Sequence, residues 1–80
     1  MKNIIIPQQD RLSPKVIIVR TFNDVDNILL EIKKKQPVII NVGNLSRRDG
    51  FRIIDFLSGY CFALNGTHKK IDDLIYRFEI

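Results

Sequence analysis

The 80-residue sequence contains one cysteine, one histidine and no tryptophan. A disulfide cannot form within the chain, and Cys61 falls among apolar residues. Both features are typical of a small buried hydrophobe in a protein of a reducing compartment. Metal sites draw on clustered histidine, cysteine and acidic ligands. His68 and Cys61 have no such neighbours in the sequence, so we expect no metal site.

The sequence also lacks the residue combinations on which common catalytic sites depend. Nucleophilic catalysis requires a serine or cysteine beside a base, and Ser58 has no histidine on its own element. Gly43 and Gly50 do not have the spacing of a phosphate-binding glycine loop. Asp72 and Asp73 read as a turn rather than as an acid–base pair. We therefore expect a binding or assembly module with no enzymatic activity and no cofactor.

Long hydrophobic runs are absent as well. No apolar stretch is long enough to span a bilayer, and Met1 to Ile6 is too short for a secretory signal. These features predict a cytoplasmic protein. The net charge of +4 is compatible with an acidic peptide, a nucleic acid or an anionic membrane as partner, and it selects none of them.

Residues 1–14 have no sustained hydrophobic period and contain two prolines, which predicts a flexible N-terminal arm. The apolar residues of this arm are Ile4, Ile5 and Ile6. Three interpretations stay open for them: an unstructured tail, an added edge strand, or a weak contact with a membrane.

Strand and helix patterns alternate over residues 15–80. Runs of β-branched residues predict strands, and apolar residues three and four apart predict helices. Strand patterns cover Lys15–Arg20, Val38–Val42, Thr67–Ile71 and Leu74–Ile80, and helix patterns cover Asp24–Lys35 and Ser46–Leu64. The β-α-β-α-β-β order predicts one α/β domain, residues 15–80. It would have a single mixed sheet of four to five strands and two helices.

The ends of the two helices carry recognisable signals. Thr21 and Asn23 are both suitable N-caps for the first helix, and Ser46 is suitable for the second. Asn65 and Gly66 end the second helix, and we expect Gly66 to adopt the left-handed conformation.

The second helix has more apolar surface than one sheet can cover. Its core stripe includes Ile53, Ile54, Leu57 and Cys61. A different set of residues lies opposite or beside that stripe: Arg48, Phe51, Arg52, Asp55, Gly59 and Phe62. A mid-helix glycine costs about 1 kcal/mol relative to alanine, and the close approach of another backbone would explain it. Phe51, Arg52, Asp55, Gly59 and Phe62 would then contact a second copy of the protein. Alternatively, loops cover the two phenylalanines and Gly59 is merely tolerated.

The first two strands are apolar on both faces, and such strands are normally covered on both sides. Two helices on one face of the sheet would leave the other face for the N-terminal arm or for another molecule. A chain of this length is also marginally stable alone. Both points favour association.

Several segments resemble the conserved C-terminal domain of SepF, a cell-division protein family. The segments are PVIINVGNL, RIIDFLSG and FALNG between Pro37 and Gly66, preceded by VRTFNDVDNILLEIKKKQ and followed by KKIDDLIYRF. The DFLSG motif, Asp55 to Gly59, is the most specific of them, because few small domains place Ser-Gly inside an apolar helix. The resemblance covers about residues 15–80.

The resemblance implies a non-catalytic α/β dimer that can assemble further and that binds the C-terminal tail of FtsZ, the tubulin-like division GTPase. It implies a location at the division site on the inner face of the membrane. In the family, tail recognition involves a lysine and an aromatic residue on the last hairpin, and Lys70 and Tyr76 occupy those positions here. A lysine can pair with a carboxylate, while a tyrosine packs against apolar peptide residues.

A small RNA-binding domain is the alternative function. The same element order occurs in such folds, and the basic residues Lys33 to Lys35, Arg47, Arg48 and Arg52 could contact phosphates. Exposed strand aromatics for base stacking are few, so we expect no nucleic-acid partner.

Overall fold

The computed structural model of the protein describes residues 13–80 and places six regular elements along them. These are strand β1 (Lys15–Ile18), helix α1 (Asp24–Lys33), strand β2 (Val38–Asn41), helix α2 (Arg47–Ala63), strand β3 (Thr67–Asp72) and strand β4 (Ile75–Glu79). The predicted element order and the α/β class are confirmed. Of the predicted arm, only Ser13 and Pro14 fall within the described residues, and Ile4, Ile5 and Ile6 lie outside them.

The four strands form one mixed sheet in the order β1-β2-β4-β3. β1 and β2 run parallel, as strands joined through a helix can. β4 is antiparallel to both β2 and β3. The last two strands form the predicted hairpin, with a register shift between Lys70 and Asp72. β1 and β3 are therefore the edges of the described sheet.

Both helices pack on one face of the sheet, and the core lies between them and the strands. Burial alternates along β2, where Val38 and Ile40 are fully buried while Ile39 between them is only half-buried. The core contains Val19, Ile28, Ile32, Val38, Ile40, Val42, Ile53, Ile54, Leu57, Cys61 and Phe78. The alternating burial along β2 has the two-residue period of a strand with one covered face.

The other face of the sheet has no cover among the described residues. It carries Val16 and Ile18 from β1, which are 64% and 45% exposed, and the half-buried Ile39 and Ile75. The sequence predicted this uncovered apolar face. Within residues 13–80, neither helix has the length and apolar composition that crossing a bilayer requires.

Helix α1 begins differently from the prediction. The Asn23 side chain makes no capping hydrogen bond, and the Thr21 hydroxyl accepts only from the Asn23 amide, at 3.2 Å. The Asp24 carboxylate instead reaches back and accepts from the backbone amides of Arg20 and Thr21, at 2.7 and 3.1 Å. The hydrogen bonds from these two amides hold the pKa of Asp24 below its ordinary value.

The lowered pKa of Asp24 predicts a pH-dependent contribution to stability. A carboxylate whose pKa is lower in the folded state stabilises the fold above its unfolded pKa, near 3.8. This contribution is lost as the pH falls through the lower folded value. We expect Asp24→Ala to lower the thermal midpoint at pH 7 and to match the wild type in strong acid. Asp24→Asn is the control variant, because it keeps an acceptor oxygen at this position but cannot titrate. An Asp24→Ala deficit that is the same at all pH values would contradict this role.

Helix α2 begins as predicted and ends one residue earlier than predicted. The Ser46 hydroxyl accepts from the Asp49 amide at 3.1 Å, which is the geometry of an N-cap. At the other end, Asn65 takes the left-handed conformation with φ of 62°, and Gly66 has no positive φ. The expectation for Gly66 was therefore wrong. Asparagine tolerates the left-handed region of backbone conformations. A glycine is needed at position 66 for a different reason, namely that its backbone lies in close contact with β4.

Candidate protein-interaction surfaces

The first candidate surface is the outer face of α2, defined by Phe51, Arg52, Asp55, Gly59 and Phe62. All five residues are exposed. Phe62 is 79% exposed and Phe51 is 38% exposed, so the loops among the described residues do not cover the two phenylalanines. The residues predicted to contact a second copy therefore form one continuous solvent-facing surface.

Gly59 leaves a gap in the middle of the outer face. A Cβ atom built on Gly59 would have no heavy atom of another element within 4 Å. No packing inside the chain therefore requires a glycine at this position. A helix that passes close to a second backbone uses glycine in this way, because interaxial distances of about 8–10 Å depend on the side chains at the contact.

Two arginines lie over aromatic rings next to the outer face. The Arg47 guanidinium lies 5.3 Å from the centre of the Phe51 ring, and that of Arg52 lies 5.7 Å from the Phe22 ring. At exposed sites such pairs contribute about 0.5–1 kcal/mol. They also reduce the rotamer freedom of both side chains, so less entropy would be lost when a partner binds.

An apolar groove continues from the outer face toward α1. It has a volume of about 350 Å³ and is lined by Phe22, Val25, Asp26, Arg52, Ile53 and Phe56. Sequence reasoning missed this groove because Phe22 precedes the helix and belongs to no hydrophobic period. Arg52 belongs to both surfaces, so a partner on the outer face would also meet the mouth of the groove.

The second candidate surface is on the β3–β4 hairpin, where Lys70 and Tyr76 are directly paired across the two strands. Because cross-strand partners share a face of the sheet, their side chains lie side by side. Tyr76 packs partly against the core, while the Lys70 side chain is 57% exposed and its ammonium lies 3.3 Å from the Asp73 carboxylate. The structure therefore brings together the two residues predicted to bind the tail.

His68 lies on the same face of the hairpin, two residue pairs away from Lys70 and Tyr76. It pairs with Phe78, and the two rings stack with centroids 5.9 Å apart. His68 therefore lies on an edge strand of the described sheet, because β3 is at one end of the strand order. Within residues 13–80, no three histidine, cysteine or acidic residues cluster closely enough to hold a metal ion.

Cys61 is a structural residue of the core. Its thiol donates to the carbonyl oxygens of Thr67 and Glu79, at 3.2 and 3.4 Å, and it joins the end of α2 to both strands of the hairpin. Burial raises the pKa of the Cys61 thiol, which disfavours the reactive thiolate. The interpretation of Cys61 as a buried hydrophobe is confirmed.

Comparison with known proteins identifies what the chain is similar to. The family model described as "Cell division protein SepF" matches residues 15–78. A protein of that name from Thermoanaerobacter sp. (strain X514) is 42% identical over 64 residues, which cover 78% of this chain and 47% of the relative. The Brevibacillus brevis protein of the same name is 32% identical over 78 residues, covering 92% of this chain and 55% of the relative. The chain thus spans about half the length of these curated relatives.

Proposed function

Because the chain belongs to the SepF family of cell division proteins, we propose that it is a non-enzymatic dimeric adaptor of cell division. In this proposal it binds the C-terminal tail of FtsZ and supports septum assembly on the cytoplasmic side of the division site. The observation that carries the proposal is the outer face of α2, where exposed aromatic side chains share one face with a glycine that has no internal packing role.

The chemistry of the outer face suits a symmetric pair. Each contact in a twofold interface occurs twice, and burying a phenylalanine side chain contributes about 1.5–3 kcal/mol. Phe62 therefore supplies a large contribution from both copies. Arg52 and Asp55 carry opposite charges on the same face, so two copies can pair these residues across the interface. Such pairing favours one orientation over others.

The tail site is proposed at Lys70 and Tyr76. The ion pair between Lys70 and Asp73 is exposed on both sides, and exposed ion pairs contribute little. The ammonium of Lys70 can therefore exchange Asp73 for a carboxylate of the tail at small cost. The adjacent Tyr76 packs partly against the core, and the part of its ring that stays exposed offers apolar surface to the same peptide.

Lys70→Glu is expected to weaken binding of a synthetic FtsZ tail peptide by about tenfold or more, since an attraction becomes a repulsion. Lys69→Glu is the matched control. It changes the net charge equally, but Lys69 pairs with Arg77 on the opposite face of the sheet. Fluorescence anisotropy with a labelled peptide measures both affinities. Equal losses in the two variants would show that only net charge matters and would remove Lys70 from the site.

The RNA-binding alternative gains no support from the positions of the aromatic residues. The aromatic residues of the described strands are His68, Tyr76 and Phe78, and all three lie on the helix-covered face of the sheet, where the His68 ring stacks on Phe78. They are not placed to stack on bases across an open sheet. The surface features of residues 13–80 therefore favour a protein partner.

A further inference from the structure

The hydrogen bonds between β2 and β4 determine which backbone groups of β4 face β3. The Val42 amide donates to the Leu74 carbonyl at 2.9 Å, one pair beyond the last pair of the β2–β4 ladder. Successive residues of an antiparallel strand direct their amide and carbonyl groups to opposite sides. The even-numbered residues of β4 therefore face β2, and its odd-numbered residues face β3.

The outer edge of β3 consequently carries the backbone groups of His68 and Lys70. Their neighbours Thr67 and Lys69 are the partners of odd-numbered residues of β4, so the backbone groups of Thr67 and Lys69 face β4. The amides and carbonyls of His68 and Lys70 point the other way. Within residues 13–80, no strand pairs with this edge, and all six residues of β3 are exposed.

The regular part of this edge is short. The register of the hairpin shifts between Lys70 and Asp72, and a bulge of this kind bends the strand and ends regular pairing. His68 and Lys70 thus offer two amides and two carbonyls in one straight row. Because a strand uses every second residue for pairing on one side, such a row matches a partner segment of about three residues.

The charge of β3 discriminates between the strands that could pair with it. Lysines on an edge strand commonly prevent pairing between copies of the same protein. A second β3 would bring its own Lys69 and Lys70 beside those of the first, and like charges on neighbouring strands are destabilising. An acidic segment is attracted by the same lysines. The edge is therefore complementary in charge to an acidic peptide and not to itself.

We propose that an acidic peptide binds this edge as an added β-strand, with its backbone paired to His68 and Lys70 and a carboxylate side chain beside the Lys70 ammonium. The inference rests on the proposed function, because the peptide is the FtsZ tail, and it adds how the tail is held. Main-chain hydrogen bonds supply affinity in such complexes, and alternate side chains supply specificity. The Lys70 side chain is on the helix-covered face, whereas that of Lys69 is on the opposite face. Only every second side chain of the peptide therefore meets Lys70.

Two measurements on the unmodified 80-residue chain test the strand addition. In the first, fluorescence anisotropy compares synthetic FtsZ tail peptides that carry one backbone N-methyl group at successive positions. Methylation of an amide that donates to β3 should weaken binding by about tenfold, and methylation of the amides between should not. In the second, NMR follows amide exchange, and saturating unmethylated peptide should slow exchange at His68 and Lys70 by at least about tenfold. The Lys69 amide faces β4 and serves as the internal reference.

The outcomes separate this inference from the function on which it rests. A tail peptide that does not bind contradicts the tail site itself and the strand addition with it. A peptide that binds with equal affinity at every methylated position, and leaves exchange at His68 and Lys70 unchanged, keeps the tail site and overturns the strand addition. Slow exchange at both amides before peptide is added would show that the edge is already occupied. Dependence of that protection on protein concentration would identify a second copy as the occupant.

Discussion

Gly66→Ala is expected to lower the free energy of unfolding by about 3 kcal/mol, the upper range for inserting a methyl group into a packed site. A Cβ atom at Gly66 would lie 2.5 Å from the Glu79 carbonyl oxygen and 2.7 Å from the Cys61 sulfur, and would overlap the Ile80 side chain. The Ile80 side chain can rotate away. The Glu79 carbonyl cannot move as easily, because it belongs to β4 and accepts from the Cys61 thiol.

The expected loss is a large fraction of the stability of so small a domain, since about 0.05–0.15 kcal/mol per residue is typical. Urea denaturation monitored by circular dichroism measures it. Gly59→Ala is the control, because the added methyl group meets no neighbouring atom and improves helix propensity by about 1 kcal/mol. If both substitutions change the stability alike, the contact at Gly66 is not what requires a glycine.

The second large effect is expected at Gly59, where stability and association should respond in opposite directions. Gly59→Gln replaces a poor helix former by a good one in open space, so the stability of the single chain should be unchanged or higher. The glutamine side chain would occupy the gap through which a second copy approaches in the proposed dimer. We expect the dimer dissociation constant to rise by about 100-fold, because the helices can no longer pack closely.

Phe62→Ala tests the same interface from a neighbouring position. It should weaken the dimer because it removes the most exposed aromatic side chain of the outer face. Leu30→Ala is the matched control, since Leu30 is also an exposed apolar residue on a helix but lies outside the outer face. Sedimentation velocity over a concentration series measures both dissociation constants. An equal effect of the two truncations would mean that general surface hydrophobicity drives association.

The element order could be predicted from the sequence because each local signal agreed with the global fold. The β-branched runs became strands, and Ser46 capped α2 as its position indicated. The ends of other elements depended on contacts that a one-dimensional pattern does not contain. At the start of α1, the Asp24 carboxylate accepts from the preceding amides of Arg20 and Thr21. At the end of α2, Asn65 takes the left-handed conformation, and Gly66 lies in close contact with β4.

The candidate site was predictable to different degrees on the two surfaces. Helical spacing alone placed Phe51, Arg52, Asp55, Gly59 and Phe62 on one face, because the period of a helix is fixed. The pairing of Lys70 with Tyr76 required the register of the hairpin, which shifts between Lys70 and Asp72. The contribution of Phe22 required the packing of α1 beside α2. Neither the register nor the packing follows from the period of a single element.

The central claim is that this chain pairs with itself through the outer face of α2. Sedimentation equilibrium of the unmodified 80-residue chain, from micromolar to millimolar concentration, tests it most directly. The account predicts a monomer–dimer equilibrium that shifts toward the monomer in Gly59→Gln. A chain that sediments as a monomer throughout this range, or a dimer that Gly59→Gln leaves intact, would contradict it.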